Sequence, residues 1–351
     1  MTTFHHVLRR RFVFHSLAAW LAAGSMATAA VPAALAQDGS GAAAASRTPT
    51  GKVPAAVSVL SIVEHPSLDA LRDGLHDELK DAGYQDGKSL HWAYQSAQGN
   101  QGTAVQIARK FVGDRPDVIV PIATPAAQAV VSATHQIPVV YNAITDPIAA
   151  QIVKSMTPSG TNVTGVSDKL VADGQVAFIK RVVPDAKRVG IIYSPAEANS
   201  VSATREMKVA LEKQGISLVE VAAPRSIDVG QAAQRLVGKV DVIYTSNDNN
   251  VISAYESVIK VANAAKIPLI CADRSSVQRG ATGAMAIDYY RMGRQTGRMV
   301  LRILNGEKPG DIASETSDRL DITLNLDAAR RQGATLSPEL QAEASEIFGK
   351  P

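Results

Sequence analysis

Ala56-Val-Ser-Val-Leu-Ser-Ile-Val63 is a short apolar, β-branched run, followed by Glu64-His-Pro-Ser67 and then by Leu68, Leu71, Leu75 and Leu79. The first stretch reads as a strand and the second as a turn. The leucines, spaced by three and four, stack on one face of a helix that Gly83 stops.

The unit repeats. Strands are predicted at 90–94, 117–122 and 138–144, with helices at 103–112 and 125–134. A second series opens after Asn162-Val-Thr-Gly-Val166: helix 174–183, strand 189–193, helix 200–214, strand 217–221, helix 229–237, strand 241–245, helix 251–265 and strand 268–272. Strands that are apolar throughout and separated by helices imply parallel sheets covered on both faces. Strand 283–287, helix 292–304 and strand 320–326 come too late for a third domain and read as the chain passing back between two existing lobes. The expected fold is α/β, with two similar lobes, each a parallel sheet flanked by helices. A ligand cleft lies between the carboxyl ends of their strands.

Ahead of this pattern, Arg9-Arg-Arg11 precedes an apolar stretch that ends in Ala34-Leu-Ala36 before Gln37, the parts of a secretory signal. Cleavage is expected after Ala36, with export to the periplasm by the twin-arginine or the general secretory route. Residues 37–53, rich in Ala, Gly and Ser, read as a flexible tether. The whole chain carries +3 and the leader holds three arginines and no acid, so the mature part is 3 − 3 = 0. With neither net positive charge nor a basic stripe, the footprint for nucleic acid is missing. Cys271, the sole cysteine, cannot form an internal disulfide and reads as a small buried strand residue.

Polar residues gather at the predicted strand ends. The first series supplies Glu64, His65, Thr124 and Asp146, together with the backbone amides of Ala126 and Ala127. The second supplies Glu197, Asn199, Ser200, Asn247, Asp248 and Asp273, and the late crossing adds Asp288 and Tyr289. In Thr124-Pro-Ala-Ala127, Thr suits an N-cap and Pro the first helical position. The free amides of Ala126 and Ala127 would then form a carboxylate site, although an ordinary capped helix has the same sequence. Asn199-Ser200 offers a similar helix start from the other lobe. Glu64, Asp146, Glu197, Asp248, Asp273 and Asp288 could surround a primary ammonium, whereas each alone is a cap or turn former. Their shared location argues for a site, with Tyr289 as an aromatic wall.

An enzyme is the rival class. His65, His76, His91 and His135 are the only histidines after the leader and have no metal-ligand spacing, and no nucleophile elbow or Walker loop is present. Neither metal nor cofactor is expected. A sugar-repressor-like regulator would need a helix-turn-helix where the leader and tether stand.

Val63-Glu-His-Pro-Ser-Leu-Asp69, Ala123-Thr-Pro-Ala-Ala-Gln128, Thr145-Asp-Pro147, Asn162-Val-Thr-Gly-Val-Ser-Asp168, Ala196-Glu-Ala-Asn-Ser200 and Asp288-Tyr-Tyr290 together resemble the ABC-transporter substrate-binding family that includes tryptophan and tyrosine uptake proteins. The resemblance runs from about Pro54 to Phe348. It implies a type I periplasmic-binding fold with three crossings near Val166, Ile287 and Arg319. Lobe 1 would be 54–166 plus 287–318, and lobe 2 would be 167–286 plus 319–348. It implies a monomer that closes around a small amino acid, aromatic or branched, and passes it to an inner-membrane permease served by a separate ATPase. Another small polar or carboxylate solute, or a periplasmic ligand-sensing role, stays open.

Overall fold

The computed structural model describes residues 49–317 and 319–350. The expected leader and residues 37–48 of the expected tether lie outside the described residues. The tether's last residues are held rather than free: the Lys52 amide donates to the Leu304 carbonyl at 2.9 Å and its ammonium pairs with Asp117.

The first series forms β1 (Ala55–Ser61), α1 (Pro66–Asp81), β2 (Leu90–Ser96), α2 (Gln101–Asp114), β3 (Val118–Ile122), α3 (Thr124–Ala133), β4 (Val139–Asn142) and β5 (Val163–Ser167). Its strands lie in the order β2-β1-β3-β4-β5, all parallel. The second series forms α4 (Ala172–Val182), β6 (Arg188–Tyr193), α5 (Ala198–Glu212), β7 (Ser217–Ala222), α6 (Val229–Leu236), β8 (Val242–Thr245), α7 (Asn249–Ser253), α8 (Tyr255–Ala265), β9 (Leu269–Asp273), α9 (Arg274–Arg279) and β10 (Gly283–Ile287). These strands repeat the same order, β7-β6-β8-β9-β10, again parallel. In each lobe the winding direction reverses between the first and third strands, where open sheets leave a crevice beyond their carboxyl ends.

The remaining chain stitches the lobes together as α10 (Tyr289–Leu304), β11 (Glu315–Thr316), β12 (Leu320–Asn325), α11 (Leu326–Arg331), α12 (Pro338–Glu343) and β13 (Glu346–Phe348). α10 crosses back to lie on α1, with the two backbones nearly touching at a pair of glycines. A Cβ on Gly74 would sit 2.1 Å from the Tyr290 carbonyl oxygen, and one on Gly293 2.0 Å from that of Leu71. β11 then pairs in parallel with β5 in the first sheet, and β12 joins β10 in the second.

The short elements α9, β11, α11, α12 and β13 add to those the sequence led us to expect, and two further details differ. β12 runs antiparallel to β10, with Ile287 opposite Leu320. β10 ends where the chain leaves this lobe and β12 begins where it re-enters, so the two must point in opposite directions. The single helix expected at 251–265 is broken at Ala254, whose φ of −113° and ψ of 28° separate α7 from α8. Ser253 donates its hydroxyl to the Asn249 carbonyl at 2.6 Å, a local bond that competes with continued helix.

The periodic leucines lie where their spacing put them: Leu71, Leu75 and Leu79 are fully buried in the first lobe's core. The second sheet carries one core on each face, with Ile191, Tyr244 and Ile270 on one side and Ile192, Ile243 and Cys271 on the other. Among the described residues, no helix is long and apolar enough to cross a membrane. All three crossings leave carboxyl ends of strands, so the two rows of strand-end loops face one another.

Candidate functional site

Asp168, the first residue past β5, occupies the seam between the lobes. It is 2 % exposed. Its carboxylate accepts hydrogen bonds from the Tyr289 hydroxyl at 2.7 Å, the Thr145 hydroxyl at 2.9 Å and Asn247 Nδ2 at 3.0 Å. Thr145 follows β4, Asn247 follows β8, and Tyr289 opens α10, so this single carboxylate gathers both lobes and a crossing. All three donors are neutral. Burial drives the Asp168 carboxyl above the usual range, and the three bonds offset this only in part. The sequence reading singled out Tyr289 and Asn247 but passed over Asp168. The signal was available, since Asp168 ends the stretch Asn162-Val-Thr-Gly-Val-Ser-Asp168 at a strand end beside an expected crossing.

From Asp168 a polar chain runs along the rim of the second lobe. Asn199 Nδ2 donates to the Asn247 carbonyl at 3.0 Å and to Glu197 Oε2 at 3.3 Å. That same Glu197 oxygen accepts from Asn249 Nδ2 at 2.7 Å and from its amide at 3.4 Å. Burial first, and then the neighbouring Asp248 carboxylate, push the Glu197 carboxyl up to about 7. Asp248 is spent within its lobe. It accepts from the Ser194 amide at 2.7 Å, the Ser194 hydroxyl at 2.9 Å, the Ser200 hydroxyl at 2.5 Å and the Val251 amide at 2.9 Å. It is a clasp that ties the loops after β6 and β8, and it consumes Ser200. The helix start expected at Asn199-Ser200 also shifts: α5 begins at Ala198, and the Val201 amide bonds the Glu197 carbonyl at 3.0 Å.

The first lobe contributes the start of α3. Its cap is Ala123 rather than Thr124, because the Ala127 amide closes the first helical bond onto the Ala123 carbonyl at 3.1 Å. This corrects the expected pair of free amides: Ala127 is consumed. The open first-turn amides are those of Thr124 and Ala126, since Pro125 has none. Ala123 takes φ 71° and ψ 156°, a backbone that costs of order 1–3 kcal/mol for a residue with a Cβ. A bond from its amide to the Asn142 carbonyl at 3.0 Å holds it there.

Several polar atoms at these strand ends are buried without a partner: Thr124 Oγ1, both amide atoms of Asn142, Asn199 Oδ1, Ser246 Oγ and Asn247 Oδ1. Native proteins leave few such groups, so their gathering at the carboxyl ends of β3, β4 and β8 and on the first turn of α5 marks a surface built for a polar ligand. Asn142, at the end of an apolar strand, was another readable signal that the sequence reading missed. A small cavity of about 30 Å³ adjoins the seam, and its walls include Thr145, Asp168, Gln175, Tyr244, Ser246 and Asn247.

The lobes are clasped shut around this region. Ser67 donates to Asp273 at 2.9 Å and meets the Ser275 hydroxyl at 2.8 Å. Ser202 donates to Asp146 at 3.1 Å, and Lys169 bridges Asp146 at 3.5 Å and Glu206 at 2.8 Å. Burial would raise the Asp146 carboxyl, but the Ala149 amide, Lys169 and Ser202 hold it low. Asp273 also caps α9 through the Ser276 amide at 3.0 Å. His65 caps α1 by accepting from the Leu68 amide at 3.5 Å. Burial lowers its pKa to about 4, with Asp273 opposing and Arg279 assisting.

Two expected residues are not brought into this group. Glu64 is exposed and bonded to Tyr94 at 3.4 Å and Gln98 at 3.2 Å, beside the edge strand. Asp288 caps α10 through the Arg291 amide at 3.1 Å and lines a separate depression with Arg274, Tyr290, Asp321 and Glu346. The strand-end position of each is real, but the side chains turn away from the seam. Cys271 lies in the core with its thiol donating to the Asp273 carbonyl at 3.3 Å, and burial pushes its pKa well up. Among the described residues, no three His, Cys, Asp or Glu side chains are grouped to hold a metal ion.

The family described as ABC transporter substrate binding protein matches residues 56–348. A tyrosine-binding protein of Clostridioides difficile is 38 % identical over 293 residues, 84 % of this chain and 85 % of that one. A crystal structure of an ABC domain in complex with L-Trp from Streptococcus pneumonia is 33 % identical and superposes with a TM-score of 0.81, covering 84 % of this chain and 99 % of that one. The ligand-free, open structure of a substrate binding protein with adhesive properties from Clostridium difficile is 37 % identical, with 84 % and 100 % covered, yet its TM-score is 0.65. The more similar sequence superposes less well, as expected when a closed pair of lobes is laid on an open one. The chain belongs to the ABC transporter substrate-binding protein family.

Proposed function

We propose that the protein is the receptor for an aromatic α-amino acid, which it binds unchanged and delivers to an inner-membrane permease. The observation that carries this reading is Asp168, a buried carboxylate at the seam whose three partners are all neutral. A buried carboxylate without a cation is costly, and a ligand ammonium supplies the missing charge. The ligand carboxylate meets the Thr124 and Ala126 amides and the Thr124 hydroxyl at the start of α3. Tyr289 forms part of the side-chain wall. Asn199 and Asn247 complete the polar rim, whereas Asp146, Asp248 and Asp273 act by holding loops and lobes. The relatives that carry tyrosine and L-Trp in their descriptions support the aromatic side chain.

Substrate-binding proteins of ABC importers act outside the cytoplasmic membrane, and the leader supports export followed by cleavage after Ala36. Lobe 1 then comprises 54–166 plus 287–318, lobe 2 comprises 167–286 plus 319–348, and the protein works as a monomer. Calorimetric titration with tryptophan, tyrosine, phenylalanine, leucine, glutamine and urea tests the ligand class. Micromolar binding is expected for at least one aromatic amino acid, recovered intact afterwards. Binding confined to glutamine and urea would end the aromatic reading.

A further inference from the structure

The two rim asparagines have their amide groups set in one sense. Asn247 spends Nδ2 on Asp168 at 3.0 Å, and Asn199 spends Nδ2 on Glu197 at 3.3 Å and on the Asn247 carbonyl at 3.0 Å. The atom left without a partner is therefore the carbonyl oxygen in both cases, Asn199 Oδ1 and Asn247 Oδ1, each buried. Together with the Asp168 carboxylate, the rim thus carries two further acceptors that have no protein donor. A ligand group facing it must bring several donors and no lone pair. A primary ammonium, with three N–H bonds, meets that demand, whereas a hydroxyl brings a single donor.

We infer that the site counts N–H bonds: Asp168, Asn199 Oδ1 and Asn247 Oδ1 each take one from a primary ammonium. Glu197 is then the positioning residue that fixes the sense of the Asn199 amide. This inference rests on the amino-acid reading above but does not depend on the side chain being aromatic. Glu197 holds Asn199 from behind and is itself held by the Asn249 amide and side chain at 3.4 and 2.7 Å, so it acts without touching the ligand. Replacing one N–H by a methyl leaves a buried acceptor unpaired, a loss that amounts to about tenfold or more in affinity.

Calorimetry on the full mature protein would compare L-tyrosine and L-leucine with their N-methyl forms and with the corresponding acids that lack nitrogen. The expected result is at least ~10-fold weaker binding for each N-methyl form and no measurable binding for the nitrogen-free acids. Glu197→Ala, shown to be folded by its melting curve, should weaken the parent amino acid and shrink the N-methyl discrimination to about twofold, because the Asn199 amide is free to turn. Glu197→Gln should restore the discrimination, since its amide oxygen can accept the same donors. A purely structural role for Glu197 would move the melting temperature and leave the discrimination alone.

Equal affinity for the parent and N-methyl forms would overturn the inference and spare the aromatic reading. Discrimination seen with leucine but no binding of tyrosine would do the reverse. A folded Glu197→Ala with full discrimination would remove Glu197 from its role, and failure of both parent amino acids would defeat both readings.

Discussion

The two lobes share a strand order, yet they bring opposite chemistry to the seam. The first lobe offers mostly donors: the open amides of Thr124 and Ala126 and a hydroxyl at the start of α3, beside the unpartnered Asn142 amide, which brings one donor group and one acceptor. The second offers acceptors: Asn199 Oδ1 and Asn247 Oδ1, adjoining the Asp168 carboxylate at the crossing. Winding order determines where strand ends meet, whereas the residues between each strand and the first turn of the following helix determine the sign of what they present. An α-amino acid carries both signs about one carbon, so it fits only when the two lobes meet. A solute with one sign satisfies a single lobe and gives the other no reason to close.

The largest expected effect breaks this comparison at its acceptor end. Asp168→Asn keeps the shape but removes the charge opposite the ammonium. Affinity should fall by about 100-fold or more, in line with ~2–5 kcal/mol for a desolvated charge pair that loses one member. The fold should hold, since the carboxylate it replaces is costly to bury in the ligand-free protein. The same carboxylate gives the wild type a pH dependence. Its pKa is raised in the free protein, and an ammonium favours the ionised form, so binding weakens as pH falls through that raised value. Well below it, the loss is about tenfold per pH unit, while Asp168→Asn should show no such slope. Calorimetry from pH 8 to pH 4 checks both, and a variant within about threefold of wild type would remove Asp168 from the ligand.

How much of this comparison was legible before folding depends on how local each cause is. Leu68, Leu71, Leu75 and Leu79 gave away α1 because helical periodicity is a property of a single segment. The capping roles of Asp248, Asp273 and Asp288 were also local, each bonded to an amide three residues on. Choosing between Asp168 and Asp248 was not local. Both stand just past a strand, and only the meeting of the loops after β6 and β8 shows that Ser194 and Ser200 consume Asp248. Ala123 as the cap of α3 was unreadable for another reason. Nothing in an alanine favours φ 71°, and the conformation is held from outside by the Asn142 carbonyl. The reversed direction of β12 follows from where the chain crosses, which no feature of 320–325 records.

A smaller effect sharpens the donor side. Thr124→Val keeps the branched shape and removes a buried hydroxyl that has no protein partner. If that hydroxyl serves the ligand carboxylate, affinity for the amino acid should drop by about tenfold, the loss of one charge-assisted hydrogen bond. Affinity for the corresponding amino-acid amide, already weak, should change less. The melting temperature of the free protein should rise or stay level, because an unpaired buried hydroxyl is no asset to the fold. An equal loss for acid and amide would show that Thr124 does not read the carboxylate.

The smallest effect concerns the clasp between the lobes. Ser67 reaches across to Asp273 and Ser275 from the start of α1, whereas Asp273 also has the Ser275 hydroxyl at 2.6 Å and the Ser276 amide at 3.0 Å within its own lobe. Ser67→Ala therefore removes a bond that exists only when the lobes are closed, and it leaves no carboxylate stranded. Water replaces part of the loss once the cleft opens, so affinity should fall by only about threefold. The change should appear in faster dissociation, because the clasp forms after the ligand has entered. The melting temperature without ligand should stay within about 1 °C if the open form dominates there, since neither core is touched. Stopped-flow dissociation and calorimetry separate the outcomes. A slower association rate with unchanged dissociation would mean that Ser67 guides entry rather than holding the lobes together.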